Sequence, residues 1–247
     1  MRTLKLTLAY DGTPFVGWQR QAEGISIQGL LEDALARLEG APVTVHGAGR
    51  TDAGVHALGQ VASAQVTAAH PVEVIARALN ACLPPEIRVT DVEQAADDFH
   101  ARFSARSKTY RYVICNAPIV SPFERAYVWH IQDALDRGAM QEAARVLVGT
   151  HDFAAFRSVG GDVKTTSRTM TESGFLGQDD PTRLVYEITG DGFLRHMVRA
   201  IAGTLVEIGR GQRPASSLAA LLAGGRRAEA GATAPPHGLF LVRVVYD

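Results

Sequence analysis

The sequence predicts an α+β fold made of two successive halves. Three observations carry this expectation. Segments with the two-residue alternation of half-buried strands recur along the chain. Between them lie apolar patterns of helical period, bounded by caps, glycine or proline. The first half reads β-α-β-β-α-β, and the same style returns later without a strict repeat of sequence. The halves are expected at residues 1–100 and 101–247.

Leu4, Leu6 and Leu8 alternate with polar neighbours, so the first strand runs to about Tyr10, and Asp11 to Gly17 is a loop. Ser26 caps a helix whose apolar positions are Ile27, Leu30, Leu31, Ala34, Leu35 and Leu38, ended by Gly40. A strand begins at Val43 to Val45, a glycine-rich loop follows, and Gln60 to Val66 is the next strand. Pro71 opens a helix to about Cys82, and Ile87 to Val92 is a strand. Thr109 to Cys115 and Tyr127 to Ile131 are strand-like, and Asp136 caps a helix reaching Val148 before Gly149. Two strands lie around Thr166 to Phe175 and Arg183 to Thr189. A helix from Leu194 to Ile208 carries Met197, Ile201 and Leu205 on its apolar face and stops at Gly209. A short helix follows Pro214, and Leu239 to Tyr246 is the final strand. Gly224 to Pro236 is the segment most expected to be mobile.

Composition narrows the class. The chain is 46 % hydrophobic and 21 % charged, ordinary for a soluble domain, and has no apolar run of about eighteen residues, so no membrane span is expected. The start lacks a signal-peptide core, and two cysteines without motif spacing point to a reducing compartment, hence the cytoplasm. A net charge of −1 does not mark a nucleic-acid binder. The kind of charge is more suggestive. Lys5, Lys108 and Lys164 are the only lysines, and arginine's planar fork suits phosphates and stacks on bases. A GC-rich genome also encodes many arginines, so the clusters matter more than the total. Arg102, Arg106, Lys108 and Arg111 fall close together, and Arg195 and Arg199 lie four apart on a helix face. A basic groove offset by acidic surfaces elsewhere gives the same net charge.

The stretch most suited to chemistry is Gly47-Ala-Gly-Arg-Thr-Asp-Ala-Gly-Val-His-Ala57. Gly47, Gly49 and Gly54 permit positive φ and close approach of the backbone to a ligand. In an extended segment Arg50 and Asp52 point the same way, and an adjacent guanidinium favours an ionised carboxylate. That suits an aspartate used as nucleophile or base. The plainer alternative is a turn holding a structural salt bridge. A dinucleotide fingerprint fails, because Asp52 occupies its third glycine position. A metal set of His46, Asp52, His56 and His70 matches no zinc spacing, and Cys82 and Cys115 stand apart.

Seven segments in order resemble the TruA-type tRNA pseudouridine synthases. They are the loop just quoted, Tyr10-Asp-Gly-Thr-Pro-Phe-Val-Gly-Trp-Gln-Arg-Gln21, Asp98-Phe-His-Ala-Arg-Phe-Ser-Ala105, Lys108-Thr-Tyr-Arg-Tyr112, His151-Asp-Phe-Ala-Ala-Phe-Arg157, Phe193-Leu-Arg-His-Met-Val-Arg-Ala200 and Gly238-Leu-Phe-Leu241. The resemblance spans essentially the whole chain. It implies the pseudouridine-synthase fold: two ferredoxin-like halves with a joined, mostly antiparallel sheet and a central cleft for RNA. It implies isomerisation of uridine to pseudouridine in tRNA, at uridines 38 to 40 of the anticodon stem-loop, by a homodimer without a cofactor.

Carried onto this sequence, the resemblance makes Asp52 the catalytic aspartate. Arg50 fills the space vacated by a flipped nucleotide or holds its phosphate. Tyr110 is selected over Tyr112, its neighbour on one strand face, as the active-site ring; the plainer role for both is core. Arg199 aligns with the arginine that pairs with the catalytic aspartate. Leu239 or Leu241 supplies an apolar wall to the uracil pocket. Trp18, Arg20, Arg102 and Arg106 are further candidates for RNA contacts. Two rivals belong to other classes: a non-catalytic RNA-binding module, in which Asp52 is dispensable, and a hydrolase using Asp52 with His56 or His100, which releases free uracil.

Overall fold

The structure, a computed structural model, describes residues 1–158, 164–177 and 180–246. In chain order its elements are β1 (Arg2–Tyr10), α1 (Ile27–Glu39), β2 (Val45–Gly47), β3 (His56–Val66), α2 (Val72–Cys82), β4 (Ile87–Ala95), β5 (Ser107–Asn116), β6 (Trp129–Ile131), α3 (Arg137–Arg145), β7 (Gly149–Asp152), β8 (Ser167–Leu176), β9 (Arg183–Gly190), α4 (Met197–Gly209), α5 (Ser217–Leu222) and β10 (Leu239–Val245). They divide into two units, Met1–Arg106 with Phe240–Asp247, and Ser107–Leu239. No helix among the described residues is long and apolar enough to cross a membrane.

In the first unit the alternation of β1 buries Leu4, Leu6 and Leu8 completely. β1 pairs antiparallel with β3 and β4, and β2 pairs antiparallel with β3. The resulting order β4-β1-β3-β2, with α1 and α2 as crossovers, is a ferredoxin-like arrangement. α1 is fixed locally: the Ser26 hydroxyl accepts from the Gly29 N–H, and Gly40, at φ 69°, returns its N–H to the Ala36 carbonyl. Ile27, Leu31 and Leu35 bury its apolar stripe. β10 pairs parallel with the start of β3, Phe240 opposite His56 and Leu241 opposite Ala57. A division at residue 100 keeps this strand with the second half. Its pairing partner is a tertiary choice that strand periodicity does not encode.

In the second unit β5 pairs with β9, β9 with β8 and β8 with β7, all antiparallel, and β6 lies parallel beside β5. α4 differs from the expected amphipathic helix. Met197, Val198, Ala200, Ile201, Ala202, Gly203, Leu205, Val206 and Ile208 are all buried, as in a helix covered on nearly every side. The cover includes residues 231–234, part of the segment expected to be mobile. The Gly231 N–H donates to the Thr204 hydroxyl, the Ala232 N–H to the Glu207 carboxylate and the Ala234 N–H to the Arg199 carbonyl. A Cβ on Gly203 would lie 1.7 Å from the Ala232 carbonyl oxygen, so this strap presses directly on the helix.

The start of α4 also moves. His196 adopts φ 61° and its Nδ1 lies 2.8 Å from the Ser158 hydroxyl, so the helix begins at Met197 and not at Leu194. Arg195 therefore lies outside the helix and does not share a helical face with Arg199. α3 ends at Arg145, and tighter turns, each N–H donating to the third carbonyl back, carry the chain to Val148. The short, largely polar β7 that follows carries no apolar alternation and was not expected from sequence.

Candidate active site

Asp52 sits in the loop between β2 and β3, and the segment after β1 is its mould. Gly17 and Asp52 form an antiparallel bridge, the Trp18 N–H donates to the Thr51 carbonyl at 3.0 Å, and the Val55 N–H turns back to the Asp52 carbonyl at 3.1 Å. Gly17 has φ 106°, and a Cβ there would come within 2.6 Å of the Thr51 oxygen. A Cβ on Gly12 would lie 2.0 Å from the Val55 oxygen. Both glycines are required by close approach of backbone to backbone.

Side chains lock the loop from beneath. The Tyr10 hydroxyl lies 2.8 Å from the Thr51 hydroxyl. The Gln60 amide, fully buried in β3, donates to the Gly49 carbonyl at 2.8 Å and toward the Tyr10 oxygen at 3.4 Å. Burial holds the Tyr10 phenol well above its ordinary pKa, so it stays protonated. Neither Tyr10 nor Gln60 was singled out by sequence reasoning. The strand itself, with Ser63 and a second amide at Gln65, gives no signal that separates Gln60. Gln60→Leu removes the donor to Gly49 and leaves that half-buried carbonyl without this partner. It is expected to cost about 1–3 kcal/mol of stability, read as a lower thermal midpoint.

Two details of the loop correct the sequence reading. Gly47 does not use positive φ; it is glycine because the Trp18 indole presses on it, with a Cβ only 2.5 Å from the ring. Gly54 does use it, at φ 74°. The expected Arg50–Asp52 pair does not form among the described residues. Arg50 is exposed at the loop surface, while Asp52 is half-buried.

The histidines have local tasks. His56 is buried; its Nδ1 accepts the Gly12 N–H at 3.1 Å, lies 3.1 Å from an Asp11 carboxylate oxygen, and its ring stacks on Phe240. His46 stacks on His100. Among the described residues no group of three or more His, Cys, Asp or Glu could hold a metal ion.

The other candidates in the first unit divide sharply. Trp18 is 3 % exposed and packs near Tyr10 and against Gly47, so it shapes the loop and offers no stacking face. The Arg20 guanidinium is held by Glu32 and Asp33, both at 2.9 Å, and by the Gly29 carbonyl. Arg102 and Arg106 are exposed, and the Arg106 Nε donates to the Tyr246 carbonyl. Leu241 is fully buried in β10.

In the second unit Tyr110 lies on β5 opposite Ile188, edge-on to Phe193 at 4.9 Å. Tyr112 on the same face is core: its hydroxyl donates to the Pro235 carbonyl and its ring meets Gly238. Arg199 is half-buried and its Nε donates to the Ala234 carbonyl at 2.8 Å, so the strap positions it. Leu239 is 5 % exposed at the start of β10. Of the basic cluster, Lys108 is buried and Arg111 is paired with Glu187 at 2.7 Å.

The first unit offers a carboxylate on a glycine-tight loop; the second, taken by itself, offers a buried tyrosine and a tethered arginine. Residues 7–104 and 143–247 match the family model described as tRNA pseudouridine synthase. Three relatives carry the name tRNA pseudouridine synthase A. That of Syntrophotalea carbinolica is 47 % identical, covering 100 % of this chain and 97 % of that protein. That of Solidesulfovibrio magneticus is 48 % identical, covering 100 % and 92 %. That of Geotalea uraniireducens is 46 % identical, covering 100 % of each. Matches of this extent leave one assignment: the chain belongs to the tRNA pseudouridine synthase family.

Proposed function

We propose that the chain isomerises uridine to pseudouridine in tRNA, at uridines 38 to 40 of the anticodon stem-loop, with Asp52 as nucleophile or base. The observation that carries the proposal is Asp52 itself, held in the loop of the family motif by the Gly17 bridge and the Thr51 contacts. In the reaction the C1′–N1 bond breaks, the uracil turns and C5 bonds to C1′. The C5 proton is lost and N1 gains one. Every heavy atom of the uridine is retained, so no hydride, electron sink or activated group is needed and no cofactor is proposed.

A uridine in a stem must leave the stack first. Arg50, exposed beside the loop, is proposed to fill that space or hold the phosphate. Tyr110 is proposed to stack on the uracil and move a proton, Arg199 to pair with the carboxylate, and Leu239 or Leu241 to wall the uracil. Arg102 and Arg106 are proposed to meet phosphates; Trp18 and Arg20 are assigned to the protein's own packing. By the family resemblance, the working form is proposed to be a cytoplasmic homodimer that engages one tRNA.

The test is incubation with an unmodified tRNA transcript, followed by pseudouridine mapping. Pseudouridine at 38 to 40 is the expected result. Binding without isomerisation, or release of free uracil, overturns it in favour of an RNA-binding module or a hydrolase. Within this reading Tyr110→Phe keeps the ring and loses the hydroxyl. It is expected to slow turnover by roughly 10²-fold while affinity holds, if the hydroxyl transfers the proton. Measured kcat and Kd check this, and an unaffected Tyr110→Ala removes Tyr110 from the site.

A further inference from the structure

One turn of the first unit, outside the residues given catalytic roles above, aligns four flat groups. The His46 ring stacks on His100 at 4.7 Å, His100 lies against Phe103 at 4.4 Å, and the Arg102 guanidinium carbon lies 5.5 Å from the Phe103 centroid. Phe103 is 76 % exposed. An isolated exposed ring is ordinary on a protein surface. This one is held in place. The His100 Nδ1 accepts the N–H groups of Arg102, at 3.1 Å, and Phe103, at 3.4 Å. The Ser104 hydroxyl accepts the His100 N–H, and the Ser63 hydroxyl accepts the Ala101 N–H from the sheet below. The Tyr246 hydroxyl donates to the Ala101 carbonyl, and its ring packs on Phe99.

With Nδ1 accepting, His100 carries its proton on Nε2 and is neutral. Burial, with His46 and Arg102 beside it, holds its pKa below the ordinary value. The face is therefore flat and aromatic, with one cation at its edge. The adjoining cavity is lined by Asp97 and Asp98 as well as His46 and His100, which disfavours a phosphate there. What suits such a surface is the face of an unpaired base, with arginine beside it for stacking or for the backbone.

We infer that His46, His100, Phe103 and Arg102 form a stacking platform for an unpaired nucleobase of the RNA substrate. The inference rests on the proposed action on tRNA. Since the Phe103 ring already rests against His100, part of its side-chain freedom is lost before binding. Every base has a π-face, so the platform adds affinity with little sequence preference.

The test uses the full chain and an unmodified tRNA transcript, comparing Phe103→Ala, Phe103→Leu and Phe103→Tyr. The Ala and Leu variants are expected to bind about 5- to 100-fold more weakly, with the loss in KM and not in kcat, while Tyr stays within about twofold. Because the ring is exposed, all three should melt with the wild type. Phe103→Trp should gain a fluorescence component quenched by single-stranded oligouridylate. Leu binding as well as the wild type overturns the inference, as does a lowered thermal midpoint that accounts for the weakened binding. A change in oligomeric state with unchanged tRNA affinity also overturns it, and assigns the ring to a contact between copies. The wild-type arm separates the two readings: wild type without pseudouridine formation defeats the proposed function, whereas active wild type with unaffected variants defeats the platform alone.

Discussion

Asp52→Asn is expected to abolish pseudouridine formation while leaving tRNA affinity within a few fold. The substitution is nearly isosteric, and it keeps the backbone contacts of the loop at this residue, the bridge to Gly17 and the Val55 N–H to the Asp52 carbonyl. The half-buried side chain is replaced without a change in volume, so the fold should stand. What disappears is the ionised carboxylate, needed whether Asp52 attacks covalently or removes a proton. Loss of such a group costs roughly 10²–10⁴-fold or more. Mapping on a tRNA transcript, with binding measured in parallel, decides the matter. Residual turnover above about 1 % of wild type takes Asp52 out of both roles.

Gly17→Ala is expected to cripple the enzyme from outside the reacting groups. At φ 106° a side chain is strained, at roughly 1–3 kcal/mol, and the new Cβ would meet the Thr51 oxygen at 2.6 Å and the Ala53 nitrogen at 3.1 Å. The strain is relieved only by moving the segment that carries Asp52. The thermal midpoint should fall, and kcat should fall at least about tenfold further than the folded fraction explains, since small misplacements of a reacting group are costly. Gly40→Ala is the control. Its φ of 69° is also left-handed, but nothing lies within 4 Å of the added Cβ. It should lower stability by about 1 kcal/mol and leave turnover alone. Equal behaviour of the two variants would show that the Gly17 contact does not set the loop.

Where local chemistry decided structure, the sequence was readable. Ser26 and Gly40 bound α1 by contacts within a few residues, and both ends fall where the pattern put them. Helical periodicity before Met197 was misleading because His196 is held left-handed beside Ser158, far away in sequence. Gly224 to Pro236 has the composition of a loose loop, yet its hydrogen bonds to Thr204, Glu207 and Arg199 come from another element. At the candidate site the same division holds. Asp52 and its glycines were visible as a motif. That Trp18 explains Gly47, that Gln60 and Tyr10 hold the loop, and that Glu32 and Asp33 occupy Arg20 are non-local facts. Arginine looks alike in sequence whether it awaits a phosphate or is already paired.

The parallel seat of β10 on β3 has a consequence for how the protein is made. On the ribosome the chain emerges in order, and parallel partners distant in sequence pair late. The unit bearing Asp52 cannot be completed early, because Phe240 and Leu241 must first arrive opposite His56 and Ala57. Until then β3 lacks a partner along one edge at His56 and Ala57, beside the Asp52 loop. A nascent chain stalled before residue 240 therefore carries a first unit whose Asp52 loop still lacks its neighbouring strand.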